Sequence, residues 1–229
     1  MKPLAITVGL MAASCLVVAL WSQARMSAGA PASSSPLRPT MAEPEKHKVT
    51  PDRLERSGRH SGRAIPAGLA ADDAAGTAFD LDSLTTEGRP LVVIFIKDGC
   101  PCSTSAEPFF RRLHFAYGDR ATFLGVIDGG PSSARRWADD HHTPFPVLAD
   151  PGTAWARAFG AESSAYVAVV APGGQVEALW PGYSAPMLVE LGATIARLAG
   201  VAPVPVEAAD APAELYTGCP FEGAAVVGE

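Results

Sequence analysis

Residues 91–96, LVVIFI, constrain the fold of this chain more than any other stretch. Six consecutive apolar residues, four of them β-branched, leave no face for water, so the run must become a strand covered on both sides. Gly88-Arg89-Pro90 before it and Asp98-Gly99 after it are turn signals that set its length. The rest of the chain has to supply the covering layers. ATFLGVID (121–128) is a second buried strand, FPVLAD (145–150) a short one, and AYVAVVAPGGQVEALWPG (165–182) a hairpin turning at Pro172-Gly173-Gly174. Residues 101–117 place apolar and aromatic side chains at helical spacing. SSARRWADD (132–140) fits a helix capped by serine, TAWARAFG (153–160) a short helix closed by Gly160, and residues 185–200 an amphipathic helix ending at Gly200. AFDLDSL (78–84) alternates apolar and polar residues as a half-buried strand does. Buried strands alternating with helices call for an α/β layer fold around a mixed central sheet.

Outside this region the texture changes. Residues 3–21 carry no charge and come after Lys2, so the segment 1–24 is expected to be either a secretory signal peptide or a membrane anchor. A span needs about 20 apolar residues and a signal core about 7 to 15, which leans toward an uncleaved hydrophobic helix. Cys15 lies inside the apolar run and fits a lipid acceptor poorly. Residues 25–75 are rich in Pro, Ser, Gly and charge and are expected to form a disordered linker, with the folded domain over 76–200 and a flexible Pro/Ala-rich C-terminal tail over 201–229. The net charge of −6, with no block of lysine or arginine, argues against nucleic acid as a partner. Export would put Cys100, Cys102 and Cys219 in a compartment where disulfides persist.

Those cysteines carry the chemistry. Cys100 comes soon after the buried strand and precedes Pro101, a residue suited to the first position of a helix. A thiol there meets free backbone N–H groups and the positive end of the helix dipole, both of which favour the thiolate. The thiolate is the attacking species in disulfide exchange and in peroxide reduction. Cys102 lies two residues on, where helical residues face different ways, so a Cys100–Cys102 disulfide would need an unwound first turn. Cys219 is far along the chain, but a long loop closes at modest extra entropy. It is expected either to return to Cys100, or to pair with Cys102, or to stay free.

The order of these pieces resembles the thioredoxin-like superfamily, in particular the redoxin branch that includes the alkyl hydroperoxide reductase/thiol-specific antioxidant (AhpC/TSA) proteins. Phe95, Cys100-Pro101 and Pro108 carry the resemblance, together with FLGVID, FPVLADPGTAWARAFGA and VAVVAPGGQVEALWPG downstream. It implies a thioredoxin-like three-layer fold and an extracytoplasmic thiol–disulfide oxidoreductase or thiol peroxidase with Cys100 as nucleophile. Cys102 or Cys219 would resolve it, and Ser103 would donate a hydrogen bond to the thiolate. The implied partners are a protein disulfide or peroxide substrate, an external thiol reductant and, through the N-terminal segment, the membrane; no cofactor is implied. The chain departs from the pattern at Ser103, where a second cysteine is usual, at Ile94 in place of a buried acid, near Ala165 where a proline is missing, and at Lys97 and Gly99, where the peroxidase motif is not met. Two other readings compete: a Cu(I)-binding domain using Cys100 and Cys102 with His141 or His142 nearby, and a non-catalytic interaction domain on the same fold.

Overall fold

The structure, a computed structural model, describes residues 47–222, within the unit Pro39–Glu229. The expectations for the apolar N-terminal segment, for Cys15 and for residues 223–229 lie outside the described residues. In chain order the elements are α1 (Pro51–Gly58), β1 (Ala70–Asp72), β2 (Ala78–Asp80), α2 (Leu81–Thr86), β3 (Leu91–Ile96), α3 (Pro101–Tyr117), β4 (Thr122–Ile127), α4 (Pro131–His141), β5 (Val147–Ala149), α5 (Ala154–Phe159), β6 (Val167–Ala171), β7 (Gln175–Trp180) and α6 (Ala185–Ala199). Among the described residues no helix is long and apolar enough to cross a membrane.

The LVVIFI run is the middle strand of a five-stranded sheet of order β5-β4-β3-β6-β7. β3 pairs parallel with β4 and antiparallel with β6, so the sheet is mixed. β5 extends it in parallel on one side and β7 closes a hairpin on the other. All six β3 side chains are buried. Their period of two divides them: Val92, Ile94 and Ile96 face a core built with Phe109, Phe110 and Leu113 of α3, Trp137 of α4 and Leu188, Leu191 and Ile195 of α6. Leu91, Val93 and Phe95 face a second core with Leu81 and Leu84 of α2 and Trp155 and Phe159 of α5. Each large side chain so buried contributes on the order of 1.5–3 kcal/mol. Helices on both faces keep dry a strand that has no polar side.

Local chemistry moves several boundaries. AFDLDSL is a strand only to Asp80, whose carboxylate accepts the Ser83 N–H and hydroxyl and starts α2 at Leu81. Helix α4 begins at Pro131 with Gly130, not serine, at its N-cap. The stretch 25–75, expected to be a linker, contains α1, capped by Thr50 and joined to the domain by the Arg56–Glu162 ion pair at 2.7 Å and a hydrogen bond from Ser57 Oγ to the Leu179 carbonyl. Periodicity misses α1 because it is short and mostly exposed.

The largest difference is at the other end. Residues 201–222, expected to form a flexible tail, run back across the domain. Arg112 holds Asp210 at 2.6 Å, the Tyr117 hydroxyl is bonded to Val204, and Tyr183 and Tyr216 exchange backbone hydrogen bonds of 2.8 and 3.1 Å. The segment then pairs antiparallel with the loop before β6: Gly218 N–H donates to Ser164 O at 2.9 Å, Ser164 N–H to Cys219 O at 3.0 Å and Phe221 N–H to Glu162 O at 3.0 Å. Phe221 is buried in the second core. Gly218 fits here because it lacks a side chain. A Cβ added to it would fall 1.9 Å from Ser164 Oγ and 3.0 Å from the Ser164 carbonyl oxygen. Gly218→Ala is therefore expected to cost about 1–3 kcal/mol and to release residues 216–222, read as a lower urea midpoint and as amide exchange rising in that segment while β3 and β4 stay protected.

Candidate active site

β3 ends at Ile96, and a turn through Lys97, Asp98 and Gly99 leads into α3. Cys100 N–H donates to the Lys97 carbonyl at 3.2 Å, and Gly99 supplies the positive φ (69°) that the turn requires. Cys100 is the N-cap of α3, with extended backbone (φ −85°, ψ 119°), and Pro101 takes the first helical position. The carbonyl of Cys100 accepts from Ser103 and Thr104, while its side chain makes no capping bond and lies at the positive end of the helix.

Because Cys100 is extended, the rule that helical residues two apart face different ways does not separate it from Cys102. The three thiol sulfurs of Cys100, Cys102 and Cys219 lie within 4.8 Å of one another. Cys219, delivered by the tail, places its Sγ 2.9 Å from that of Cys100. That is less than an ångström beyond a bonded S–S distance of about 2.05 Å. Its backbone N–H also points at Cys100 Sγ, at 3.4 Å, and Ser164 Oγ, on the loop before β6, donates to the same sulfur at 3.4 Å. Cys100 is buried, only 3% exposed, whereas Cys102 and Cys219 are half-buried.

These neighbours divide the protons unequally. The hydrogen bond from Cys102, then those from Cys219 and Ser164, outweigh burial and lower the Cys100 thiol to about 3. Cys102 is driven the other way, first by its bond to Cys100 and then by burial. Burial, with donation to Cys100 second, raises Cys219 to about 11. The site thus holds one thiolate between two neutral thiols.

The remaining sequence candidates take other places. Ser103, expected to donate to the thiolate, is buried, and its Oγ accepts the Lys97 N–H at 3.2 Å, bracing the turn; Ser164 supplies the hydroxyl to Cys100 instead. Asp98 is engaged elsewhere, its carboxylate held well below the usual range first by the Ser133 hydroxyl at 2.6 Å and then by Arg136 at 2.8 Å. His141 packs on Trp137 with ring centroids 4.1 Å apart, and neither it nor His142 belongs to the thiol cluster. Arg111 serves Glu107 and the His141 carbonyl, and Arg112 serves Asp210.

Two residues of the site carried no signal in the sequence. Ser164 sits in ESSAY, a polar stretch with no motif, and is placed by Ala165, which adopts φ +61° and donates its N–H to the Phe95 carbonyl at 2.9 Å. Glu107 lies seven residues after Cys100 on α3 and is 5% exposed. One carboxylate oxygen has no partner and the other stands 3.7 Å from Arg111. With Ser103 and Ala165 it lines a cavity of about 10 Å³, and burial raises its carboxyl above the ordinary range.

Comparison with known proteins bears on the same region. The model of the AhpC/TSA family matches residues 62–179, just over half of the chain; Cys100, Cys102 and Ser103 lie inside the match and Cys219 beyond it. Among solved structures the chain is similar to MTB dsbF in its mixed oxidized and reduced forms (24% identity, 58% of this chain and 98% of that one, TM-score 0.50). It is also similar to peroxiredoxin Q of Xanthomonas campestris (23% identity, 61% and 99%, TM-score 0.53) and to an uncharacterized conserved protein from Geobacillus kaustophilus (19% identity, 70% and 90%, TM-score 0.55). At these identities the likeness is one of fold, and it is the thioredoxin-like α/β fold with a mixed central sheet. No curated protein matches the chain.

The proton distribution predicts two pH effects. Alkylation of the reduced protein should show Cys100 ionised at every pH from about 5 upward, with Cys219 ionising only in the alkaline range. A Cys100 that titrates near the free-thiol value of about 8.5 contradicts the assignment. A thiol lowered on folding contributes stability that is complete above its unfolded pKa and is lost as pH falls toward the folded value. Between about pH 8.5 and pH 3 the reduced protein should accordingly lose more stability than Cys100→Ser does. Glu107 has the opposite sign: the folded state retains a proton that the unfolded chain releases, so stability falls as pH rises through the carboxyl range. Glu107→Gln should raise the urea midpoint at about pH 8 and leave it nearly unchanged at about pH 4.

Proposed function

The chain belongs to the AhpC/TSA family, and from that premise we propose that it is an extracytoplasmic thiol–disulfide oxidoreductase whose nucleophile is Cys100 and whose resolving thiol is Cys219. The observation that carries the proposal is the 2.9 Å approach of the two sulfurs, one held as thiolate and the other protonated. Export is supported by the uncharged segment 3–21, which serves as signal or anchor, and by a site built from thiols.

In the proposed reaction the Cys100 thiolate attacks one sulfur of a substrate disulfide. A bond forms between them, the substrate S–S bond breaks, and the departing thiolate takes a proton from water. Cys219 then releases its proton to solvent and attacks Cys100 Sγ. The Cys100–Cys219 disulfide forms and the second substrate thiolate leaves, so the substrate has gained two electrons and the protein has lost two. An external dithiol reductant reverses the change in the protein. The backbone N–H of Cys219 and the Ser164 hydroxyl, both aimed at Cys100 Sγ, stabilise the sulfur whenever it carries charge, at the start of the cycle and again when the pair is reduced. Disulfide exchange fits better than peroxide reduction because no threonine or other hydroxyl stands at Lys97 or Gly99; the only hydroxyl bonded to Cys100 Sγ among the described residues is that of Ser164, on the loop before β6.

Turnover with a reducible protein disulfide tests this reading. Cys219→Ser should trap a mixed disulfide on Cys100 and lower turnover by on the order of 10²-fold or more, the advantage of a resolving thiol already in place. Cys102→Ser should retain most activity, and mapping of the oxidised protein should show the Cys100–Cys219 bond. Trapping by Cys102→Ser with normal turnover of Cys219→Ser would reverse the roles. Turnover of hydrogen peroxide in place of the disulfide would move the reaction to the peroxidase class.

A further inference from the structure

A dithiol cycle uses two cysteines, and this site holds three. Cys102 has no step in the proposed reaction, yet its sulfur lies within 4.8 Å of both others. The three come from different backbone settings: an extended N-cap, the first turn of α3 and the docked tail. Among the described residues the cluster contains no imidazole and no carboxylate. His141, a histidine of the sequence-based copper reading, is taken up by its contact with Trp137.

Such a donor set is selective. Soft thiolates suit Cu(I), Zn(II) and iron–sulfur clusters. Zinc closes a tetrahedral shell with four ligands, or with three and a water, and clusters are bound by four cysteines. Cu(I) is content with three sulfurs in a plane and needs no fourth ligand. We propose that the reduced protein binds one Cu(I) ion between Cys100, Cys102 and Cys219, a function separate from disulfide exchange at the same sulfurs. Three thiolates around a monovalent ion leave an excess of two negative charges, and the surroundings are arranged to meet it. The Cys219 N–H and the Ser164 hydroxyl point at Cys100 Sγ, and Cys100 sits at the positive N-terminus of α3.

The chemistry has two consequences. Thiols bind a metal ion as thiolates, so any proton the three sulfurs carry is released on binding. A Cys100–Cys219 disulfide removes two of the three ligands, so copper binding and the oxidised state exclude each other. Neither consequence requires Cys219 to resolve a substrate disulfide; the site stands even if the catalytic role of Cys219 is disproved.

Titration of Cu(I) alone into the reduced full chain under anaerobic conditions, against a chromophoric Cu(I) chelator, tests the proposal. The expected result is one Cu(I) per chain, with copper X-ray absorption showing three sulfur neighbours and no nitrogen. Cys102→Ser and Cys219→Ser should each weaken binding at least tenfold while retaining the circular dichroism of the folded protein. The His141→Ala/His142→Ala double variant should bind as the parent does, and the disulfide form should bind none. Absence of stoichiometric Cu(I) on the reduced parent chain, or unchanged affinity in either cysteine variant, overturns it. A two-sulfur, one-nitrogen shell lost in the histidine variant would also overturn it in favour of an imidazole site.

Discussion

A strand without a polar face has to be roofed on both sides, and much of this molecule depends on how that is done. β3 lies between β4 and β6 in the sheet and between two cores above and below it. The helix that covers one face, α3, begins within five residues of the strand's end, so the chain must turn through Lys97–Gly99 and enter the helix at once. That geometry leaves the side chain of the N-cap residue, Cys100, without a bond to the helix's own backbone, at the positive end of a 17-residue helix. Burial of the hydrophobic strand and activation of the thiol are therefore one arrangement: the packing that dries β3 also removes water from the sulfur. In the absence of water, the hydrogen bonds that reach it decide its charge.

Besides the bond from Cys102 on α3, those bonds come from both sides of a seam that the tail completes. Ser164 belongs to the loop before β6 and Cys219 to residues that return from beyond α6, yet they pair through a short antiparallel ladder. Backbone pairing fixes the tail without help from its composition. Gly218 is a point of close approach, and Thr217 Oγ1 meets Ser163 Oγ at 2.8 Å in a buried contact. The ladder aims the Cys219 N–H and Sγ at one sulfur together. A thiol on a freely diffusing segment would reach Cys100 only in a fraction of its conformations; here the ordering entropy is offset by the ladder, by Phe221 in the core and by the Arg112–Asp210 pair.

How much of this was legible in the sequence depends on which force places each residue. Hydrophobic periodicity places β3, β4, the β6–β7 hairpin, α3 and α6, and these are the elements that LVVIFI, FLGVID, the Pro172-Gly173-Gly174 turn and the two amphipathic stretches foretell. Cys100 at the head of α3 was legible from the buried strand before it and Pro101 after it. The tail was not, because main-chain hydrogen bonds hold much of it and almost any sequence can make them; VAPVPVEAADAPAELYTGCPF has no period for a pattern to reveal. Ser164 takes the role expected of Ser103 for a similar reason. A hydroxyl's partner depends on a rotamer and on which loop lies across the site, and that loop is set by Ala165 in a positive-φ conformation that nothing in ESSAY announces. The separation expected between Cys100 and Cys102 failed because the N-cap residue is not helical, a distinction of one position.

The same tail that completes the site also closes it. Cys100 is 3% exposed, and the groups covering its sulfur include the Cys219 backbone itself. In the proposed reaction a macromolecular disulfide reaches the thiolate by opening of the ladder at Ser164, a handful of hydrogen bonds of the kind that open locally without unfolding the sheet. Opening withdraws the Cys219 N–H and thiol from Cys100 and so weakens the stabilisation of the thiolate at the moment it becomes accessible, making the sulfur more basic and a better nucleophile. In the proposed reaction, closing after the first exchange returns Cys219 to Cys100 Sγ and favours resolution. In the proposed reaction, access and reactivity are thus coupled through one segment.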